Sequence, residues 1–200
     1  MTTNSGQTAE AASVARPGKR ERLVSAACEL VHHQGVARTT LAHIAEAADV
    51  PVGNVYYYFK TKEDIIGAVV HAHGDRLEST LAELERRHRS PKARLKALMG
   101  VLAERADSTA QYGCPYGTLS SELAKQADGS HPLAAPLMQI LLDWAEQQFR
   151  AIGRREAHDL AIELVSRYEG SAVLSNTLGQ PELMARQARR LQRWIDALPS

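Results

Sequence analysis

Thr39-Thr40-Leu41-Ala42-His43-Ile44-Ala45-Glu46-Ala47-Ala48-Asp49-Val50-Pro51-Val52-Gly53-Asn54-Val55-Tyr56-Tyr57-Tyr58-Phe59-Lys60-Thr61-Lys62 decides the fold of this 200-residue chain. Thr40 suits a helix N-cap ahead of Leu41, Ile44, Ala45 and Ala48, which recur at helical spacing. Asp49-Val50-Pro51 makes a tight turn into a second short helix carrying Val55 and Phe59. Two short helices joined in this way are a helix-turn-helix pattern, although many helical bundles contain such hairpins. The tyrosines sharpen it. Three of the chain's six, Tyr56, Tyr57 and Tyr58, are consecutive. At roughly 100° per residue Val55 and Phe59 share one face and fix the core side. Tyr57 then points away from the core, with Gly53 and Asn54 beside it and Tyr56 and Tyr58 flanking. Three adjacent aromatics cannot all be buried on one short helix. An exposed Tyr next to Asn54 and the bare backbone of Gly53 suits a DNA groove, the ring against a thymine methyl and the hydroxyl on phosphate. A helix buried on two sides is the competing reading.

Working outward, residues 1–15 are small and polar and are expected to be a flexible tail. Pro17 to Gln34 predicts a first helix, stopped by Gly35. Thr61-Lys62-Glu63-Asp64 resembles a capping box opening a long fourth helix to about His88. Ser90-Pro91 caps a fifth helix to about Ala110, and Thr118 begins a short sixth that ends before Asp128-Gly129. A seventh starts near Pro132 or Pro136 and runs to about Gly153. Arg155–Leu178 and Pro181–Leu198 complete an all-α chain of about nine helices with no strand pattern. The expected division is a helix-turn-helix DNA-binding domain at 16–62 and a larger helical ligand-binding and dimerisation domain at 63–200.

Composition sets bounds on this. The chain has 24 Lys or Arg against 23 Asp or Glu, so no global nucleic-acid charge is present. Residues 16–62 are locally basic, with seven cationic side chains against four acidic ones. No apolar run is long enough to span a membrane, and the polar N-terminus lacks a signal-peptide core. Cys28 and Cys114 are too few for a disulfide framework, which fits a cytoplasmic protein. Cys28 lies among Ala26, Ala27 and Val31 on an apolar face and reads as core.

Thr40-Leu41-Ala42-His43-Ile44-Ala45-Glu46-Ala47-Ala48-Asp49-Val50 followed by Gly53-Asn54-Val55-Tyr56-Tyr57-Tyr58-Phe59-Lys60-Thr61-Lys62-Glu63 resembles the DNA-binding domain of TetR-family repressors. The resemblance covers about residues 18–66 and implies a homodimer that binds a palindromic double-stranded operator and is released by a small-molecule effector. It implies a phosphate bond from Thr40, groove or wall positions for Gly53, Asn54, Tyr56 and Tyr57, and a phosphate contact from Lys62. Arg38, Pro51, Val52 and Tyr58 complete the expected DNA-contacting set. The family usually has Gly where Asp49 stands, and often Ser-Lys or Thr-Lys in place of Pro51-Val52. Losing that Lys removes a base or phosphate contact, so an operator sequence does not transfer. Family dimers pair their last two helices. Here Gly170 and Ser175 would allow close approach, with Trp194 and Leu198 in an apolar stripe.

For the effector pocket the candidates are Met99, Tyr112, Cys114, Tyr116, Met138, Trp144, Phe149 and Tyr168, side chains that serve a core equally well. Tyr112-Gly113-Cys114-Pro115-Tyr116-Gly117-Thr118-Leu119-Ser120-Ser121-Glu122 resembles a segment of a subgroup that includes flavonoid- and electrophile-responsive repressors. A thiol before a helix N-terminus can have a lowered pKa, so thiol sensing through Cys114 is the alternative function. His71 and His73 are two apart on a helix and cannot chelate together. No metal site, cofactor or catalytic residue is expected, since no Cys-His-Asn/Asp signature or phosphate loop is present.

Overall fold

In the computed structural model, which describes residues 17–125 and 131–199, ten α-helices follow one another. They are α1 (Lys19–Arg38), α2 (Leu41–Ala47), α3 (Val52–Tyr58), α4 (Lys62–Arg87), α5 (Pro91–Ala103), α6 (Ala106–Tyr112), α7 (Pro115–Ala124), α8 (His131–Ala151), α9 (Ala157–Leu178) and α10 (Glu182–Ala197). No strand occurs among the described residues. The tail expected at 1–15 and the break at Asp128-Gly129 lie outside them.

Caps set most of the boundaries. Thr40 Oγ1 accepts from His43 N at 3.2 Å and starts α2. Thr61 and Asp64 form the expected capping box at α4, Oγ1 accepting from Asp64 N and Oδ2 from Thr61 N. Gly35 interrupts α1 at φ 82°, as its stop signal predicts, but the chain resumes for one more turn to Arg38. The fifth helix expected to reach Ala110 instead breaks at Glu104-Arg105, which yields α5 and α6 and the tenth helix. Helix α7 begins at Pro115 rather than Thr118, because Cys114 is its N-cap and proline tolerates the first turn. Pro136 lies inside α8, which is already under way at His131.

Leu23, Ala27 and Val31 of α1 close over Ile44 and Ala45 of α2 and Val55 of α3, all essentially inaccessible to water. Each large aliphatic side chain so buried contributes about 1.5–3 kcal/mol. Helix α4 carries the same core onward, from Ile65 and Val69 near its start to Leu77, Leu81 and Leu84 further along. There α8 and α9 pack side by side, α7 lies against α8, and α10 covers α5 and α9. Among the described residues, no helix is long and apolar enough to cross a membrane.

Candidate nucleic-acid interface

Helix α3 is held by one face only. Val55 is wholly buried and Phe59, its C-cap, nearly so, whereas Tyr57 is 78% exposed and Tyr56 49% exposed. The competing reading, a helix buried on two sides, is thereby set aside. Tyr58 is half-buried and meets Tyr57 edge-on at 5.0 Å. Val52 is exposed at the start of the helix, behind Pro51 as N-cap. A Cβ built on Gly53 would meet nothing within 4 Å, so no packing inside the chain requires glycine there. Asn54 is half-buried beside it.

Around α3 the cationic groups are partly tied to backbone. Lys62 Nζ donates to Ala37 O at 3.3 Å, Lys60 Nζ to Tyr56 O at 2.6 Å, and Arg38 Nε to Gln34 O at 2.8 Å. Thr40, at the α2 N-terminus, is exposed. The turn between α2 and α3 places Asp49 at φ 51°, the left-handed region that glycine adopts most easily. Arg22 Nη1 donates to Ala48 O at 3.0 Å and steadies that turn.

Behind this surface, α7 is docked on α1 at both ends. His32 Nε2 donates to Gly113 O at 3.0 Å. At the other end the Glu122 carboxylate accepts from Val36 N through Oε2 and from Ala37 N through Oε1, each at 2.8 Å. The sequence spacing gave no sign of this clasp, because the partners lie 85 and 86 residues apart.

A cavity of about 700 Å³ opens between α7, α8 and α9, lined by Cys114, Ser120, Glu122, Met138 and Glu169 among others. Of the eight residues expected in an effector pocket, Cys114 and Met138 line it. Tyr168 lies one layer behind, its hydroxyl donating to Cys114 Sγ at 3.7 Å. Met99, Trp144 and Phe149 do not line the cavity and are buried in the interior. Trp144 Nε1 donates to Glu85 Oε1 at 2.9 Å, and Phe149 meets Trp194 edge-on at 5.9 Å. Tyr112 stacks on His33 at 4.2 Å, and Tyr116 meets His73 edge-on at 5.6 Å on another cavity.

The thiol chemistry also differs from expectation. Cys114 is 3% exposed, its Sγ donates to Glu169 Oε1 at 3.2 Å, and it accepts from Gly117 N at 3.4 Å. Burial first, then the Glu169 charge, push its pKa up to about 12, the opposite of the lowering expected from a helix N-terminus. Burial likewise raises Glu169, which favours its protonated form. Gly117 permits this approach, since a Cβ there would lie 2.1 Å from Glu169 Oε2.

Among the described residues the large exposed hydrophobics fall into two patches, Val52, Tyr56 and Tyr57 on α3 and Ile162, Val173, Leu174 and Leu178 on α9. Gly170 lies exposed within the α9 patch. The other residues expected at a dimer interface do not join it. Ser175 is inaccessible, its Oγ donating to Gln180 O at 2.9 Å to hold the α9–α10 turn. Trp194 and Leu198 pack on the chain's own core, with the Arg167 guanidinium 5.1 Å above the Trp194 ring.

Comparison with known proteins agrees with this geometry. Residues 23–69 match the family described as bacterial regulatory proteins, tetR family. An HTH-type transcriptional regulator from the lacX 3′ region of Lactococcus lactis subsp. lactis is 27% identical over 160 residues, 78% of this chain and 82% of its own length. The HTH-type transcriptional repressor DhaR of Mycobacterium sp. (strain GP1) is 27% identical over 169 residues, covering 79% and 82% of the two chains. Among solved structures, a TetR transcriptional regulator from Legionella pneumophila shares the fold with a TM-score of 0.80. It is 19% identical and covers 92% of this chain and 98% of its own.

Proposed function

We infer that this chain, a TetR-family transcriptional regulator, acts as a homodimeric repressor that a small molecule releases from a palindromic operator. The observation that carries the reading is the α3 surface, where Tyr56 and Tyr57 stand in solvent beside an unobstructed Gly53 while Val55 anchors the helix. In this reading α3 enters the major groove, with Gly53, Asn54, Tyr56 and Tyr57 along its floor and walls. Thr40, Arg38 and Lys62 meet phosphate on either side, and Pro51, Val52 and Tyr58 shape the edges. The division into residues 16–62 and 63–200 follows the same roles.

One α3 reads too few base pairs for a specific site, so two copies are needed about 34–36 Å apart on one DNA face. The α9 patch supplies the means. Ile162, Val173 and Leu174 with Gly170 form an apolar surface that a second α9 can cover. The effector would occupy the cavity at Cys114, Met138 and Glu169. A neutral thiol, an orphaned Ser120 hydroxyl and a carboxyl held toward its protonated form favour an uncharged or weakly polar molecule. Its α7 wall carries Glu122, so displacement of α7 pulls directly on Val36 and Ala37, just before α2. Release requires only that the effector bind the displaced state better, tenfold per about 1.4 kcal/mol.

Footprinting on DNA flanking the gene, at fixed salt with competitor DNA and with random-sequence selection in parallel, tests the reading. A protected near-palindrome bound by dimer supports it. Failure of both the flanking DNA and the selected pool to yield a specific site overturns it.

A further inference from the structure

A second cavity, of about 270 Å³, lies between α1, α4, α6 and α7, away from the α3 surface and from the Cys114 cavity. Its walls are cationic. Arg76 of α4 stands exposed at its rim and Arg105, the residue preceding α6, is half-buried. Among the described residues neither guanidinium has a hydrogen-bond or ion-pair partner. His32 and His33 face it from α1 and His73 from α4. The carboxylate in the lining, Glu29, already lies 3.8 Å from His33 Nε2. Thr109, which lines the cavity, is 1% exposed, and its hydroxyl has no hydrogen-bond partner. A buried hydroxyl without a partner is unfavourable, and a ligand oxygen would satisfy it.

We propose that this cavity binds a small oxyanion, a carboxylate or phosphate group held by Arg76 and Arg105 with the Thr109 hydroxyl as a further donor. The chemistry excludes the other occupants. A metal cation would meet two guanidinium charges, and an apolar ligand would leave both arginines desolvated without a partner. The volume lies below the ~300–1,000 Å³ of pockets for drug-sized ligands, so the anion is inorganic phosphate-like or a metabolite of a few carbons. Occupancy would tie α1 to α6 and α7, and it is independent of which molecule fills the Cys114 cavity.

His73 reports on the site. Burial first, then the positive charges of Arg76, His32 and Arg105, push its pKa down to about 4. A bound anion offsets those three charges and must raise it. The test titrates inorganic phosphate and, separately, succinate into the full chain, with chloride holding ionic strength constant. Histidine ring NMR follows His73 and thermal melting follows stability, both without DNA. A saturable upward shift of the His73 pKa with a rise in Tm is expected. The Arg76→Gln/Arg105→Gln and Thr109→Val variants should weaken it, the former at least tenfold. Lys96→Gln, which removes a surface charge paired with Asp196, should leave it unchanged. Tighter binding of phosphate assigns a phosphate-type ligand, and tighter binding of succinate a carboxylate. No saturable response to either anion, or an undiminished response in the double arginine variant, overturns the proposal. Neither result bears on the operator, so failure here is separable from failure of the DNA-binding reading.

Discussion

Glu122→Ala isolates the clasp between α7 and α1. The carboxylate accepts two backbone N–H bonds at 2.8 Å, and hydrogen bonds to a charged acceptor contribute about 1.5–3 kcal/mol each. Two corrections reduce the sum. Glu122 is half-buried, so water partly replaces it on the freed amides. It also lies in the last turn of α7, where a negative charge opposes the helix dipole by about 0.3–1 kcal/mol, relieved on its removal. A net loss of about 2–3 kcal/mol remains, equivalent to about 4–12 °C in Tm for a chain of this size. Urea unfolding at fixed protein concentration measures it, because dimerisation would otherwise shift the midpoint.

Amide hydrogen exchange supplies the local check. Val36 and Ala37 should lose protection in Glu122→Ala, while amides inside α9 lose only what the global destabilisation takes. Glu122→Gln keeps one acceptor oxygen but turns an amide N–H₂ toward a backbone donor, so it should fall between wild type and Ala. A stability loss under about 0.5 kcal/mol, typical of an ordinary surface change, would refute the energetic reasoning. Unchanged exchange at Val36 and Ala37 would refute the geometry.

Gly53→Ala separates folding from binding: helix propensity should leave stability unchanged or raise it by up to ~1 kcal/mol, while operator affinity falls because the added methyl meets DNA. Tyr57→Ala should weaken specific operator binding by about 1–3 kcal/mol with the dimer intact in sedimentation, and an unchanged affinity would remove Tyr57 from the groove. Asp49→Gly should stabilise the turn by about 0.5–1 kcal/mol in urea melts, since φ 51° strains a residue with a Cβ and the carboxylate is almost fully exposed. His73 is neutral in the folded state down to about pH 4 but titrates near 6.5 once unfolded, so the unfolded chain binds more protons between these values. Its contribution is therefore intact above pH 6.5 and lost as pH falls toward 4. His73→Gln should flatten that part of the stability–pH curve.

The helix-turn-helix was legible because its signals are local. Val55 and Phe59 fix an inner face, and whatever lies opposite them on a seven-residue helix must meet solvent. Caps at Thr40, Thr61 and Ser90 were legible for the same reason, since donor and acceptor lie three residues apart. The lining of the Cys114 cavity was not. Phe149 and Met138 are both large, apolar and helical, yet one is sealed in the core and the other lines a cavity, a difference that packing alone decides. Helical angle does separate Gly170 from Ser175, which stand roughly 140° apart and cannot share an interface. The same wheel groups Gly170 with Ile162 and Val173, the residues found exposed beside it. Gly117 and Glu169 lie on different helices, and neither residue alone announces that the other needs it small or near.

Ties from α7 and from the start of α4 meet in the short stretch from His32 to Thr40. Gly113, one residue before the cap of α7, receives His32, and Glu122, near its other end, receives Val36 and Ala37. Lys62, opening α4, donates to the carbonyl of the same Ala37, and Thr39 Oγ1 donates to Gly35 O. Residues 36–39 are therefore held from both sides immediately before the N-cap of α2. Movement of α7 or of the start of α4 cannot be absorbed there without breaking a hydrogen bond. In the proposed reading, a tie of about 2–3 kcal/mol is strong enough to transmit a displacement, yet within reach of an effector whose affinity differs by about 30- to 150-fold between states. Weaker anchoring would let α7 slip without moving α2, and a much stronger one would demand more differential affinity than a single small molecule ordinarily supplies.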